Sequence, residues 1–145
     1  CSSTLFPVFM SRRKARECAL QILFQLDFTN SDLTAEALSE FWSGNKEDEE
    51  TMEFAHSIIK GTREHMARLD EIITQAADNW SVDRMSVVDR NILRASAYEL
   101  VYRKDIPPAV AINEAVEISK KYSTEDSAPF INGILDKIYK LKLKE

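Results

Sequence analysis

Glycine and proline are scarce in this chain, at 3 and 4 of 145 residues. That leaves little material for the tight turns of a β-sandwich or barrel. Cys1 and Cys18 are the only cysteines. Two make no disulfide framework, and Cys18 sits inside a helical pattern, so a reducing, cytoplasmic setting is expected. No apolar run approaches the ~20 residues of a membrane span, and no membrane partner is expected. Internal repeats, low-complexity tracts and linkers long enough to divide the chain are missing as well. With 44% hydrophobic and 30% charged residues the composition is neither disordered nor fibrous. A chain of this length can bury roughly 70% of its unfolded surface. Helix is what remains.

Net charge is −5, which argues against a polyanionic partner until its distribution is considered. Arg12, Arg13, Lys14 and Arg16 stand together with no acid among them. Residues 32–53 hold eight acids against Lys46 alone. The C-terminal end carries Lys137, Lys140, Lys142 and Lys144. An anionic polymer feels a local patch within a Debye length, about 8–10 Å, rather than the total. A nucleic-acid partner therefore stays open.

Hydrophobic spacing predicts at least six helices and no strand. The first spans 11–28 with Ser11 as N-cap, and places Ala15, Ala19, Ile22 and Leu26 within a sector of about 60°. Asn30-Ser31-Asp32 closes it and caps a second helix at 33–43, ended by Gly44. Glu47 to Glu50 load the start of a third, whose pattern (Met52, Ala55, Ile58, Ile59) runs to Gly61. The pattern resumes at Met66, Leu69, Ile72, Ile73 and Ala76, as one bent helix or two end to end. A short turn surrounds Trp80. Segment 86–103 is apolar on two sides, Val88, Ile92 and Ala95 on one and Leu93, Ala97 and Leu100 on the other, and is expected to be central. Pro107-Pro108 starts a helix to about 122, and the last runs from Asp126 or Ser127 to Leu143. The leader 1–9, CSSTLFPVF, precedes Met10, which reads as a natural start. It is expected to be a cloning remnant or read-through whose Leu5, Phe6, Val8 and Phe9 seat in a groove. Residues 10–145 then form one all-α domain.

Catalytic constellations are missing: no Gly-rich phosphate loop, no nucleophile elbow, no Cys-x-x-Cys. Glu53 and His56 have Glu-x-x-His spacing, but a di-iron site needs a second such pair and two more carboxylates. No enzyme activity, metal or cofactor is expected. Glu49-Glu50 and Asp70-Glu71 read as solvated faces. Gly133 inside a helix suggests close helix packing, with Asn113 and Asn132 satisfying buried backbone groups. The four cations of helix one lie in its N-terminal turns, where the dipole and mutual repulsion disfavour them, so an external anion is inferred. Phe24 and Phe28 fall away from the core stripe, beside Arg13. Cations for phosphates with an aromatic for bases suit single-stranded RNA; packing of both rings on another helix is the alternative.

Several motifs in order resemble one family. Arg12-Arg-Lys-Ala-Arg-Glu-Cys-Ala-Leu-Gln21 resembles the opening of the NusB family of bacterial transcription antitermination factors. Val88-Asp-Arg-Asn-Ile-Leu-Arg94 with Tyr98-Glu99-Leu100 resembles its middle signature. Asp105-Ile-Pro107, Val110-Ala-Ile-Asn-Glu-Ala-Val116 and Phe130-Ile-Asn-Gly-Ile-Leu-Asp136 resemble its C-terminal third. The resemblance spans 11–139 and is weakest over 30–80. It implies six to seven helices in two packed three-helix bundles, binding the boxA element of nascent ribosomal RNA with NusE. It also implies a role in the antitermination complex of RNA polymerase, as a monomer or homodimer. The implied RNA contacts are Arg12, Arg13, Lys14, Arg16 and Phe24, with Lys120, Asp126 and Phe130 at a helix junction. Asp89 and Arg90 are implied on the NusE side. A helical adaptor without RNA, or the truncated RNA-binding domain of a ribosomal RNA cytosine methyltransferase, are the alternatives.

Overall fold

The computed structural model describes residues 2–143, with side chains from 12 to 142. The expected seating of Leu5, Phe6, Val8 and Phe9 lies outside the described residues. Seven α-helices occur among the described residues, and no strand: α1 (Ser2–Thr29), α2 (Ala35–Gly44), α3 (Glu49–Glu64), α4 (Met66–Ala76), α5 (Val87–Tyr102), α6 (Pro108–Tyr122) and α7 (Ser127–Leu143). A 3-10 turn, Val82–Arg84, precedes α5. The chain divides into two compact units, Cys1–Lys60 and Gly61–Glu145.

In the first unit the stripe read from the sequence is the core: Ala15, Ala19, Ile22 and Leu26 are buried, with Leu23 and Cys18 beside them. Burial pushes the Cys18 thiol up from its ordinary value. Ser11 is not an N-cap, because α1 already begins at Ser2. Its end is as read. Asn30 takes a left-handed φ of 54° while Ser31 N–H reaches back to the Leu26 carbonyl at 2.9 Å, the geometry of a Schellman close. The next cap is Thr34 rather than Asp32: its backbone is extended and its hydroxyl accepts from Ala37 N–H at 3.0 Å. Asp48 caps α3 by accepting from Thr51 N–H at 2.8 Å. The bonds from Thr51, side chain first, hold that carboxyl below its ordinary value.

Two helices, not one bent one, follow from residue 49, and the break is at His65 rather than Gly61. Gly61 lies within α3, where the Tyr98 ring occupies the space a Cβ would need. His65 stacks on Tyr102 with centroids 3.9 Å apart.

In the second unit α5 packs on α4, α6 and α7, so the segment read as two-sided is the central helix. Ser86 caps it, accepting from Asp89 N–H at 3.1 Å. Ile92, Leu93, Ala97 and Leu100 are buried. Arg94 reaches Asp70 on α4 through Nε at 2.7 Å and Nη2 at 2.9 Å. Asp70 is thus half of a bidentate pair, not a solvated acid; Glu71 is exposed and meets Arg68. Two further expectations are corrected. Asn113 and Asn132 are exposed, and the buried member of the first pair is Glu114, at 0% exposure. Gly133 faces open space, so it permits no close packing.

Candidate nucleic-acid interface

Four cations within five residues of α1 repel one another, and the Phe54 ring offsets part of that cost for two of them. The Arg12 guanidinium lies over the Phe54 ring of α3, 4.7 Å from its centroid. That of Arg16 lies over the same ring at 5.1 Å. Each such contact is worth about 0.5–1 kcal/mol when exposed and more when dry. Arg16 is only 6% exposed, so it is an internal cation and not a solvent-facing one. Arg12 and Arg13 are half-buried, and Arg13 has partners of its own. Lys14 is exposed, with Glu47 at 4.0 Å, a separation that leaves the ammonium well hydrated. The helix dipole does not bear on these cations, contrary to expectation: α1 begins at Ser2, well upstream of Arg12, and the helix field fades within its first turn. Repulsion among clustered cations remains, and Phe54 is the relieving residue that the sequence pattern did not reveal.

Further along α1, Phe24 is half-buried while Phe28 is 73% exposed. Phe28 does not pack into the core, contrary to the alternative left open for it. Its ring stacks on Phe24 with centroids 5.9 Å apart and planes 10° from parallel. The Glu-x-x-His pair has a different explanation from metal. Trp42 Nε1 donates to His56 Nε2 at 2.7 Å, so that ring nitrogen is an occupied acceptor. Among the described residues no cluster of His, Cys, Asp or Glu could hold a metal ion.

In the second unit the α6–α7 junction is tied to α5 by one carboxylate. Ser123 Oγ donates to Asp89 Oδ1 at 2.6 Å, and Ser127 Oγ to Asp89 Oδ2 at 3.0 Å. Asp89 therefore holds the junction in place with both oxygens engaged. Arg90 is half-buried and also has partners. From the junction thus fixed, Asp126 projects exposed and Phe130 stands 37% exposed on the first turn of α7. Lys120, on the last turn of α6, is exposed and 3.4 Å from Glu117. Asp89, Asp126, Ser127 and Phe130 line one cavity of about 470 Å³ together with Trp80 and Arg84. The last two were not singled out as site residues from sequence; the turn around Trp80 was the one signal there, and its exposure is legible only in the fold.

The comparisons with known proteins agree. Residues 13–140 match the model of the NusB family. The chain belongs to the NusB family. It is 49% identical over 140 residues to a transcription antitermination protein NusB of Thermodesulfovibrio yellowstonii, covering 90% of this chain and 93% of the relative. A T. maritima NusB structure superposes with a TM-score of 0.81 at 40% identity, covering 92% of this chain and 97% of the other. A structure of antitermination factors NusB and NusE in complex with dsRNA gives 0.82 at 29% identity, covering 91% and 98%. Membership in the NusB family makes this chain an RNA-binding antitermination protein without catalytic machinery. No helix among the described residues is long and apolar enough to cross a membrane.

Proposed function

We propose that this protein binds the boxA element of nascent RNA as a single strand, together with NusE, in the cytoplasm, and so supports antitermination by RNA polymerase. The observation that carries this reading is the cationic run Arg12-Arg13-Lys14 on a helix that also presents a stacked aromatic pair, one ring of it 73% exposed. Cations meet phosphates and rings meet bases. The NusE–dsRNA complex of a NusB relative supports both partner classes.

In this reading Arg13 and Lys14 meet phosphates, Arg12 does so from its perch on Phe54, and Arg16 anchors that ring from inside. Phe24 stacks on a base. Lys120, Asp126 and Phe130 contact RNA from the second unit. The side near Asp89 and Arg90 faces NusE, with Asp89 acting through the junction it holds.

Titration with a short boxA RNA over a salt series, with and without NusE, tests it. Binding that tightens with NusE is expected. A protein that binds NusE but no RNA under any of these conditions would establish the adaptor reading instead.

A further inference from the structure

Residues 45–48 join α2 to α3, and both ends of this connection are tied. Asn45 N–H returns to the Trp42 carbonyl at 3.2 Å and Asn45 Nδ2 donates to the Phe41 carbonyl at 2.9 Å. At the other end the Asp48 carboxylate accepts from Thr51 N–H. Glu47 stands between these ties, so its backbone is held in place. The carboxylate it presents meets the cationic run of α1, with Oε1 at 4.0 Å from Lys14 Nζ. Its side chain is 25% exposed against 49% for Lys14, so the acid is the enclosed member and the ammonium the one able to turn away. The Cys18 thiol, one turn along α1 from Lys14, feels the same convergence. After burial, which pushes it up, Lys14 lowers it and Glu47 raises it.

An exposed pair at this separation contributes little to folding. Its effect falls instead on any anion that Lys14 would meet. Lys14 is the one exposed cation of the four, since Arg12 and Arg13 are half-buried and Arg16 is buried. A phosphate arriving at its ammonium finds a carboxylate already there. That carboxylate also repels the phosphate from well inside a Debye length of about 8–10 Å.

We propose that Glu47 is a resident competitor for Lys14: it holds the ammonium in the free protein, and an RNA phosphate must displace it. Glu47 thereby sets the affinity of the α1 site below what its cations alone would give. The part it lowers is the sequence-independent one, which would hold the protein on any RNA. The inference rests on the RNA-binding reading above and adds to it a residue that positions Lys14 and weakens binding.

Glu47→Gln keeps the shape of the side chain and removes its charge. A single-stranded boxA RNA of about twelve nucleotides is titrated over a salt series against wild type, Glu47→Gln, Lys14→Gln and the double variant. Glu50→Gln, at an exposed acid three residues further on, controls for net charge. Glu47→Gln is expected to bind about two- to fivefold tighter at low salt, the range of exposed ion pairs in double-mutant cycles. The gain should shrink as salt rises and vanish in the Lys14→Gln background, while Glu50→Gln changes affinity little. A gain that persists without Lys14, or that Glu50→Gln reproduces, would be a general field effect and overturns the proposal. Weaker binding by Glu47→Gln at an unchanged unfolding midpoint would make Glu47 an aid to Lys14, and overturns it too. If Glu47→Gln binds as wild type while Arg13→Gln/Lys14→Gln binds weakly, the competitor falls and the RNA-binding reading stands. If wild type itself binds no RNA with or without NusE, both fall.

Discussion

Arg12, Arg13, Lys14 and Arg16 look equivalent in sequence, and their neighbours make them different. Arg16 sits inside on Phe54, so its loss should cost folding stability before it costs RNA. The informative variant for charge is therefore Arg13→Gln/Lys14→Gln. It should weaken all single-stranded RNAs alike and flatten the salt slope by about 0.7 for each phosphate no longer neutralised. Phe24→Ala should instead remove ~1–3 kcal/mol of stacking with the slope unchanged. Affinity measured over a salt series separates the two; a double variant with wild-type affinity and slope would remove the start of α1 from the RNA site. Asp48 gives a pH prediction at the same scale. Its carboxyl lies below the ordinary 3.8 in the fold because Thr51 bonds favour the charged form. Its stabilisation is complete above 3.8 and is lost as pH falls through the lower folded value. Urea midpoints of wild type and Asp48→Ala should differ at neutral pH and converge in acid. A gap that persists at the acid end would mean the cap acts without its charge.

At the scale of the element, the glycines of α3 and α7 are opposites. Gly61 has the Tyr98 ring where a Cβ would go, so Gly61→Ala must displace an aromatic or open the helix. Overpacking of this kind typically costs about 1–3 kcal/mol, read as a lower denaturant midpoint. Gly133 has open space around it in the middle of α7. Gly133→Ala should gain about 1 kcal/mol by helix propensity, with a higher thermal midpoint. A loss there would mean that α7 needs the glycine for something other than packing. Element boundaries follow the same division between local and non-local causes. Helices α5, α6 and α7 lie within about a residue of where proline, Ser86 and apolar spacing put them, because those signals are local. α1 starts earlier and α2 caps later than read, because Ser11 and Asp32 are good caps only where the backbone leaves the helix, and that is not written in the side chain.

For the whole molecule, the α6–α7 junction is the sensitive point. Asp89→Ala removes the charged acceptor of the Ser123 and Ser127 hydroxyls, which keep only each other and Thr124, and should cost about 1–3 kcal/mol, while loosening the platform that carries Asp126 and Phe130. RNA affinity should fall with it although Asp89 is not among the proposed RNA contacts; unchanged stability would show the junction to be held by other means. If NusE tightens RNA binding by some factor, RNA must tighten NusE binding by the same factor, and calorimetry in both orders checks this.

The sequence alone determined the helical class, since scarce glycine and proline with 3.6-residue apolar spacing leave no other way to bury the chain. It also determined the family, through motifs that keep their order over most of its length, and the core stripe of α1, because periodicity is a property of neighbours along one helix. It left the pairing of Arg94 with Asp70, the seating of Arg12 and Arg16 on Phe54, and the exposure of Phe28, Gly133 and Trp80 undetermined. Those depend on which residues from distant helices arrive at the same place. Only tertiary packing brings residue 16 to residue 54, or residue 89 to residues 123 and 127, and so only the folded chain separates a cation that faces solvent from one that holds the core.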